Sequence, residues 1–320
     1  MLTTNYLGLT LKNPLIAGSS GWTATPERIK QLEQAGIGAV VLKSIFEEDI
    51  FSDYEKESSL SNRSEEEMDT LDIKIKQQHL EKYAQLIQDA KKHVSIPVIA
   101  SINCTTSYEW SYFASEIQKA GADALEMNIY EIPEKEETGN EIEKRQLEMV
   151  NQVINILDIP LSVKLSKYHT SPANFCHTLS QNGVSGITLF NRFLAPDFDP
   201  FTFEFSDRNL YSSPDEYYET LRWMALLNNK VKSDLCASTG IHNSHTMLKM
   251  LAAGASAVQV VSAIYKHGAS VISKLLEQAQ VEFRAHKISS LQEYQAKAHK
   301  NISALNFRRA QFLKLRKASQ

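Results

Sequence analysis

Cysteine is scarce in this 320-residue chain: Cys104, Cys176 and Cys236 stand far apart. Their spacing excludes a disulfide framework and the paired ligands of a structural zinc site, and it fits a reducing compartment. No C-x-x-C pair occurs, so an iron–sulfur relay would have to come from a separate subunit. An excess of one charge is also absent. A formal net charge of −4 supplies no global basic field, which sets nucleic-acid binding aside. No 18-residue apolar run is present, and the opening MLTTNYLGLTLKN lacks the basic start and long apolar stretch of a signal peptide. The expectation is a cytoplasmic protein without a membrane span. G-x-G-x-x-G opening a helix, G-x-x-x-x-G-K-[ST] and H-E-x-x-H are missing as well. His242 and His245 form an H-x-x-H at a helix start, a pattern that reads as capping and solvent contact, so no metal is expected.

What is present is a chain rich enough in apolar residues, at 42%, to exclude disorder and to bury a large core. Short apolar runs recur at 14–18, 39–43, 97–101, 124–128, 161–165, 186–190, 234–238 and 257–261. Most lack polar alternation, as expected of parallel strands covered on both faces. Helix-length segments lie between them, with apolar spacings of three and four such as Ile29, Leu32 and Ala35. Thr25-Pro26 and Asn243-Ser244 carry helix-start chemistry, and Gly36, Gly121, Gly183 and Gly254 each precede a strand. Repeated joins (AGIGAV, AGADAL, AGASAV) argue for one unit used many times. The order predicts an α/β fold, a single-domain (β/α)8 TIM barrel over residues 1–320, with an open doubly wound sheet as the alternative.

Two stretches break the rhythm. Residues 46–75 form an acidic segment after the second strand, expected as a loop or lid. Its first part, 46–69, holds ten Asp or Glu beside Phe46, Phe51 and Tyr54. Residues 191–213 follow the sixth strand and are too aromatic for a linker, which suggests an ordered excursion at the active site or a partner surface. The chain then ends in a helical extension, 287–320, whose terminal basic residues suit a helix C-terminus.

In barrels of this kind the carboxyl ends of the strands build the active site. Here those ends read Ser19-Ser20-Gly21, Lys43-Ser44, Ser101-Ile102-Asn103, Asn128, Lys164, Asn191-Arg192, Ser238-Thr239-Gly240 and Val261-Ser262. Two lysines set in apolar sequence, Lys43 and Lys164, would need anionic or acceptor partners if desolvated. With three amides at the same mouth they favour a small-molecule ligand. The turns after the seventh and eighth strands offer amides and hydroxyls where barrels commonly hold phosphate.

These residues carry a resemblance. LGLTLKNPLIAGSSG, AVVLKS at 39–44, ALEMN at 124–128, VKL at 163–165 and STGIHNSHTMLKMLAAGASAVQVVSAIYKHG at 238–268 together resemble the class 1 dihydroorotate dehydrogenases over nearly the whole chain. The last stretch is similar to the family's flavin-phosphate signature. The resemblance implies an N-terminal strand pair, bound FMN and hydride exchange with a C–C bond in a pyrimidine or related cyclic substrate. It also implies that Ser20 and Gly21 lie along the flavin, that Lys43 and Ser44 border flavin and substrate, that Asn103 and Asn128 meet ring edges, and that Asn191 is a further cofactor-binding residue. Lys164 would face the electron-rich edge, while Thr239, Gly240, Val261 and Ser262 would hold the phosphate. A fixed cation at that edge stabilises the negative charge that arrives with a hydride.

There are departures from the family pattern. The asparagine of the fourth strand is followed not by L-S-C-P-N, with its cysteine base, but by Ile129-Tyr130-Glu131-Ile132-Pro133, so Glu131 takes the cysteine's place. A desolvated glutamate is able to act as a base. The acidic 46–69 stretch replaces the family's substrate loop, Thr239 replaces a glycine and Val261 replaces another. The resemblance further implies a soluble electron acceptor or a separate electron-transfer subunit, and a homodimer. Two alternatives stand beside this reading: a barrel that binds FMN without turnover as a regulatory protein, and a flavin-free barrel that binds a phosphorylated metabolite.

Overall fold

The computed structural model describes residues 1–59, 64–104, 110–129, 136–194, 196–206 and 210–302. It opens with an antiparallel pair, β1 (Thr4–Tyr6) and β2 (Leu9–Leu11). Then follow β3 (Leu15–Ala17), α1 (Pro26–Gln34), β4 (Ala39–Val41), the short β5 (Ile45–Phe46), α2 (Glu47–Ser58), α3 (Glu65–His93) and β6 (Val98–Cys104). The middle of the chain gives α4 (Trp110–Lys119), β7 (Ala124–Ile129), α5 (Gly139–Ile154), β8 (Leu161–Leu165), α6 (Pro172–Gln181) and β9 (Gly186–Leu189). A hairpin of β10 (Asp197–Phe198) and β11 (Phe205–Ser206) precedes α7 (Tyr217–Leu227), β12 (Asp234–Ala237), α8 (Ser244–Ala252) and β13 (Ala257–Val260). The described chain ends with α9 (Ser262–His267), α10 (Ser270–Ala285) and α11 (Leu291–Ile302).

Each of the eight apolar runs is a strand because it is too short for a helix and is bounded by helix stops and starts. The eight pair in parallel, and β13 pairs with β3 (Val258 opposite Leu15) while β4 pairs with β6, which closes the ring. The closed (β/α)8 barrel expected from the sequence is therefore the fold. Helix starts follow their cap residues: Thr25 accepts from the Arg28 amide with Pro26 in the first turn, and Asn243 accepts from the Thr246 amide at 2.8 Å.

Strand alternation divides the core into two layers. Leu15, Ala17, Val40, Val98, Leu125, Val163, Ile187 and Val258 face the helices, while Ile16, Ala39, Val41, Ile99, Ala124, Cys236 and Ala257 form a separate cluster with Tyr6, Leu7 and Leu11. The β1–β2 pair thus plugs the amino-terminal end of the barrel. Leu7 donates its amide to Asp234 Oδ2 at 2.8 Å, and a Cβ on Gly186 would meet Leu7 Cδ2 at 2.4 Å, so a side chain there would force the Leu7 side chain to move. With that end sealed, the carboxyl end of the barrel is the end open to ligands among the described residues.

The acidic segment is not the loop expected from its charge. Residues 47–58 form α2, and α3 begins at Glu65. Ile50 is buried, Tyr54 packs on the core one turn later, and Glu47, Glu48 and Asp49 occupy the first turn, where a helix dipole favours anions. Asp53 ties α2 to α3 through His79 at 3.1 Å, and this contact, with Lys56, holds its carboxyl below the usual range. The 191–213 stretch contains the β10–β11 hairpin, which leaves Phe201 89% exposed and Phe205 80% exposed. The terminal basic residues from Arg308 to Lys317 lie outside the described residues.

Candidate active site

Along the barrel interior, inward positions change from apolar to polar toward the open end. On β7 they run Ala124, Glu126, Asn128; on β6, Ile99, Ser101, Asn103; on β13, Ala257, Gln259; and on β8, Ser162 and Lys164. The register puts these side by side, with Asn103 opposite Asn128, Asn128 opposite Lys164 and Lys164 opposite Thr188. A barrel interior that becomes polar only at one end presents those groups to whatever enters there.

A cavity of about 250 Å³ opens at this end, and its walls include Ser44, Asn128, Lys164, Asn191, Thr239 and Gly240. Val261 and Ser262 also line it. An adjoining cleft of about 710 Å³ shares Phe190, Asn191, Arg192 and Thr239 with it. Lys164 Nζ donates to Gln259 Oε1 at 3.1 Å, its one hydrogen bond among the described residues, so the ammonium is held by a neutral acceptor and its positive charge is directed into the cavity. Asn191 Nδ2 donates to Asn128 Oδ1 at 2.5 Å, which leaves the Asn128 amide hydrogens for another acceptor. Ser44 Oγ belongs to a chain of hydroxyls, with Ser19 Oγ at 3.0 Å and Ser101 Oγ at 2.7 Å.

The structure does not bring every expected residue to this wall. Lys43 is exposed, two residues past the end of β4, rather than desolvated in an apolar seat. Ser20 and Gly21 sit in a short turn where the Ser20 amide donates to Thr23 Oγ1 and the Gly21 amide to the Tyr265 hydroxyl at 2.9 Å. Asn103 is buried, and its Oδ1 has no hydrogen-bond partner among the described residues. Such an acceptor, left unpaired next to the cavity wall, is costly unless an N–H or O–H reaches it. Glu131, with Tyr130, lies outside the described residues.

The turn after β12 keeps the shape a glycine pair would give it, although Thr239 has replaced one member. Thr239 adopts φ 77° and Gly240 φ 75°, and the Thr239 hydroxyl pins the turn by donating to the Phe190 carbonyl at 3.1 Å. A non-glycine residue held at positive φ stores strain that its surroundings must over-determine. Val261 does not close the space, since it and Ser262 line the cavity; its Cγ2 instead lies against Gly18, where a Cβ would meet it at 2.8 Å.

Ser212, from the excursion, reaches the same rim. Its amide donates to Ser262 Oγ at 3.0 Å, which leaves the Ser262 proton free to be donated, and its carbonyl accepts from Lys266 Nζ at 2.8 Å. The Ser212 hydroxyl meets His242 Nε2 at 2.9 Å, and burial, then Lys266, hold that imidazole below its ordinary pKa. Arg192 grips Glu216 through Nε at 2.7 Å; against the upward push of burial, Arg192 and the Ser213 amide keep this carboxyl below the usual range.

The donor set fits a planar heterocycle with acceptor edges and an anionic tail. A cation and amides converge at one side, hydroxyls and a positive-φ turn lie at the other, and the unpaired Asn103 oxygen is available to an N–H donor. Sequence reading missed Glu126, Gln259 and Ser212. A charged or amide residue in the middle of an otherwise apolar strand (ALEMN, AVQVV) was the available signal for the first two; no local signal marks Ser212.

The plugged (β/α)8 barrel with a lysine-bearing polar cavity at its open end is an enzyme-type architecture. Comparison with known proteins gives it relatives. The chain is 26% identical over 300 residues to the dihydroorotate dehydrogenase B (NAD(+)) catalytic subunit of Pyrococcus abyssi, covering 92% of this chain and 97% of that one. The subunit of the same name from Pyrococcus furiosus is 26% identical over 293 residues, covering 89% and 95%. That of a Geobacillus species is 24% identical over 274 residues, covering 82% and 84%. No family model matches the chain. The similarity to these dihydroorotate dehydrogenase subunits runs along almost the full length of the chain.

Proposed function

We propose that the protein is an FMN-dependent oxidoreductase that exchanges a hydride with a C–C bond beside a carbonyl, in a pyrimidine or related cyclic substrate. The observation that carries this reading is Lys164, a cation on the cavity floor facing a hydroxyl- and amide-rich turn at Thr239 and Gly240. Bound FMN would supply the two-electron chemistry that no side chain here provides. Lys164 would stabilise negative charge accumulating on the ligand's acceptor edge. Asn128, Asn191 and Asn103 would fix the ring's orientation, and Thr239, Gly240, Val261 and Ser262 would hold the phosphate. Ser20, Gly21, Lys43 and Ser44 would border the ring and the substrate, with Lys43 solvated until a ligand covers it.

Glu131 would move the substrate proton, in the place where the family uses a cysteine. The similar proteins are named NAD(+)-type catalytic subunits, which supports a separate electron-transfer subunit or another soluble acceptor for this chain, and a place in pyrimidine metabolism. No described helix is long and apolar enough to cross a membrane. Pairing into a homodimer belongs to the same reading.

Anaerobic mixing of the FMN-loaded protein with dihydropyrimidines tests it. At least one is expected to bleach the flavin, and Glu131→Gln should slow the bleaching by about 10² to 10⁴-fold, the range of general-base catalysis. Tight FMN binding with no bleaching by any of them would favour the regulatory, non-turnover barrel. Bleaching as fast in Glu131→Gln as in wild type would remove the glutamate from the scheme.

A further inference from the structure

Beneath Lys164 lies an ionisable group to which the scheme above gives no role. Glu126, on β7, is 1% exposed and faces the barrel interior. Its Oε2 accepts from Gln259 Nε2 at 2.6 Å and from the Thr188 hydroxyl at 2.9 Å, while its Oε1 is buried with no partner among the described residues. Gln259 then presents its other end, Oε1, to Lys164 Nζ at 3.1 Å. The three side chains come from β7, β13 and β8 and form one line from the barrel interior to the cavity.

The direction of that line follows from donor chemistry. A side-chain amide has one accepting and one donating end, and nothing in its own shape decides which way it points. An ionised carboxylate accepts only, so Glu126 forces the Gln259 NH₂ toward itself and turns the carbonyl oxygen toward the ammonium. A carboxylate is costly to bury without a countercharge, and the cation at the far end of the amide supplies it. The Tyr6 hydroxyl lies below, close to Ser162 Oγ at 3.1 Å and Thr188 Oγ1 at 3.4 Å, and it closes the network toward the plugged end.

We propose that Glu126 is a positioning residue that orients the Gln259 amide, anchors the Lys164 ammonium at the cavity floor and balances its charge. This rests on the reading of Lys164 as the cation that faces FMN, but its first test needs no cofactor. Acetic anhydride at limiting concentration labels lysines according to how freely each amine is presented, and peptide mapping reads each site separately.

In Glu126→Gln the side chain keeps its shape, but its amide accepts or donates equally well, so Gln259 loses its imposed direction and Lys164 its anchor. Labelling of Lys164 is expected to rise at least fivefold relative to wild type, with Lys43 and Lys167 unchanged. Adding Gln259→Glu, which places an accepting carboxylate directly against the ammonium, should bring Lys164 back to within about twofold of wild type. A Lys164 rate unchanged in Glu126→Gln, or a uniform rise at all three lysines, overturns the proposal, since the glutamate is then only a brace for the barrel.

A second readout uses the FMN-loaded protein. Removing the countercharge strengthens the positive field of Lys164, so the midpoint potential of bound FMN should rise by about 30 mV, a tenfold change in its two-electron equilibrium. An unchanged potential also counts against the role. If wild type takes up no FMN, the functional reading fails by itself, and the labelling result still decides what Glu126 does.

Discussion

Replacing Lys164 with methionine is expected to slow the reduction of bound FMN by substrate by about 10² to 10³-fold, the usual cost of removing one preorganised electrostatic contact from the reacting centre. The long apolar stem is kept, so packing between β7 and β9 changes little. What disappears is the cation that β8 carries into the cavity, held by a neutral amide and therefore not neutralised by direct contact. FMN affinity should fall by less, about tenfold, because the turn after β12 is untouched. Stopped-flow bleaching and a cofactor titration on the same preparation separate the two quantities. Equal losses in binding and in reduction rate would make Lys164 a binding residue with no special part in the chemistry, and no loss in either would remove it from the site.

Gly240→Ala should abolish FMN retention while leaving most of the barrel intact. A Cβ at this position would meet the Tyr217 amide nitrogen at 2.4 Å, the Glu216 carbonyl carbon at 2.8 Å and Tyr217 Cα at 2.9 Å, all of them backbone atoms at the start of α7. Backbone yields far less readily than a side-chain tip, and φ 75° adds its own strain to the clash. The turn must open and carry the Thr239 and Gly240 amides away from the cavity. A loss of at least 100-fold in FMN affinity is expected, about 2.7 kcal/mol. Gly268→Ala is the matched control: φ is 72°, but nothing lies within 4 Å of a Cβ there, so it bears the strain without the clash. Similar FMN affinity in the two variants would mean that the turn after β12 does not seat the cofactor.

Much of the fold is legible in the sequence because parallel strands covered on both faces need unbroken apolar runs, and four of the strands follow a similar glycine-containing join. The two capped helix starts at Thr25 and Asn243 are legible for the same local reason. Charge density hid the helix at 47–58: ten acids in 46–69 suggest a solvated loop, whereas the four-residue spacing of Ile50 and Tyr54 carries the packing. At the site, Lys164 and Asn128 stand at strand ends with their parity intact, so sequence alone marks them. Lys43 misleads because β4 ends at Val41, and beyond a strand's end the alternation no longer tells which way a side chain points. Glu126 and Gln259 are one inward step deeper than the ends, in positions where a strand normally carries apolar packing. Ser212 comes from a loop 50 residues before its partner Ser262, a contact that only the closed barrel creates.

The most direct test is a titration of FMN into the purified protein, followed by absorbance near about 450 nm and by the fluorescence of the remaining free flavin. Saturation at one FMN per chain, in wild type and in Gly268→Ala but not in Gly240→Ala, is the outcome expected of a cofactor seated between Lys164 and the β12 turn. A folded wild-type protein that stays colourless and leaves the added flavin fully fluorescent would contradict it.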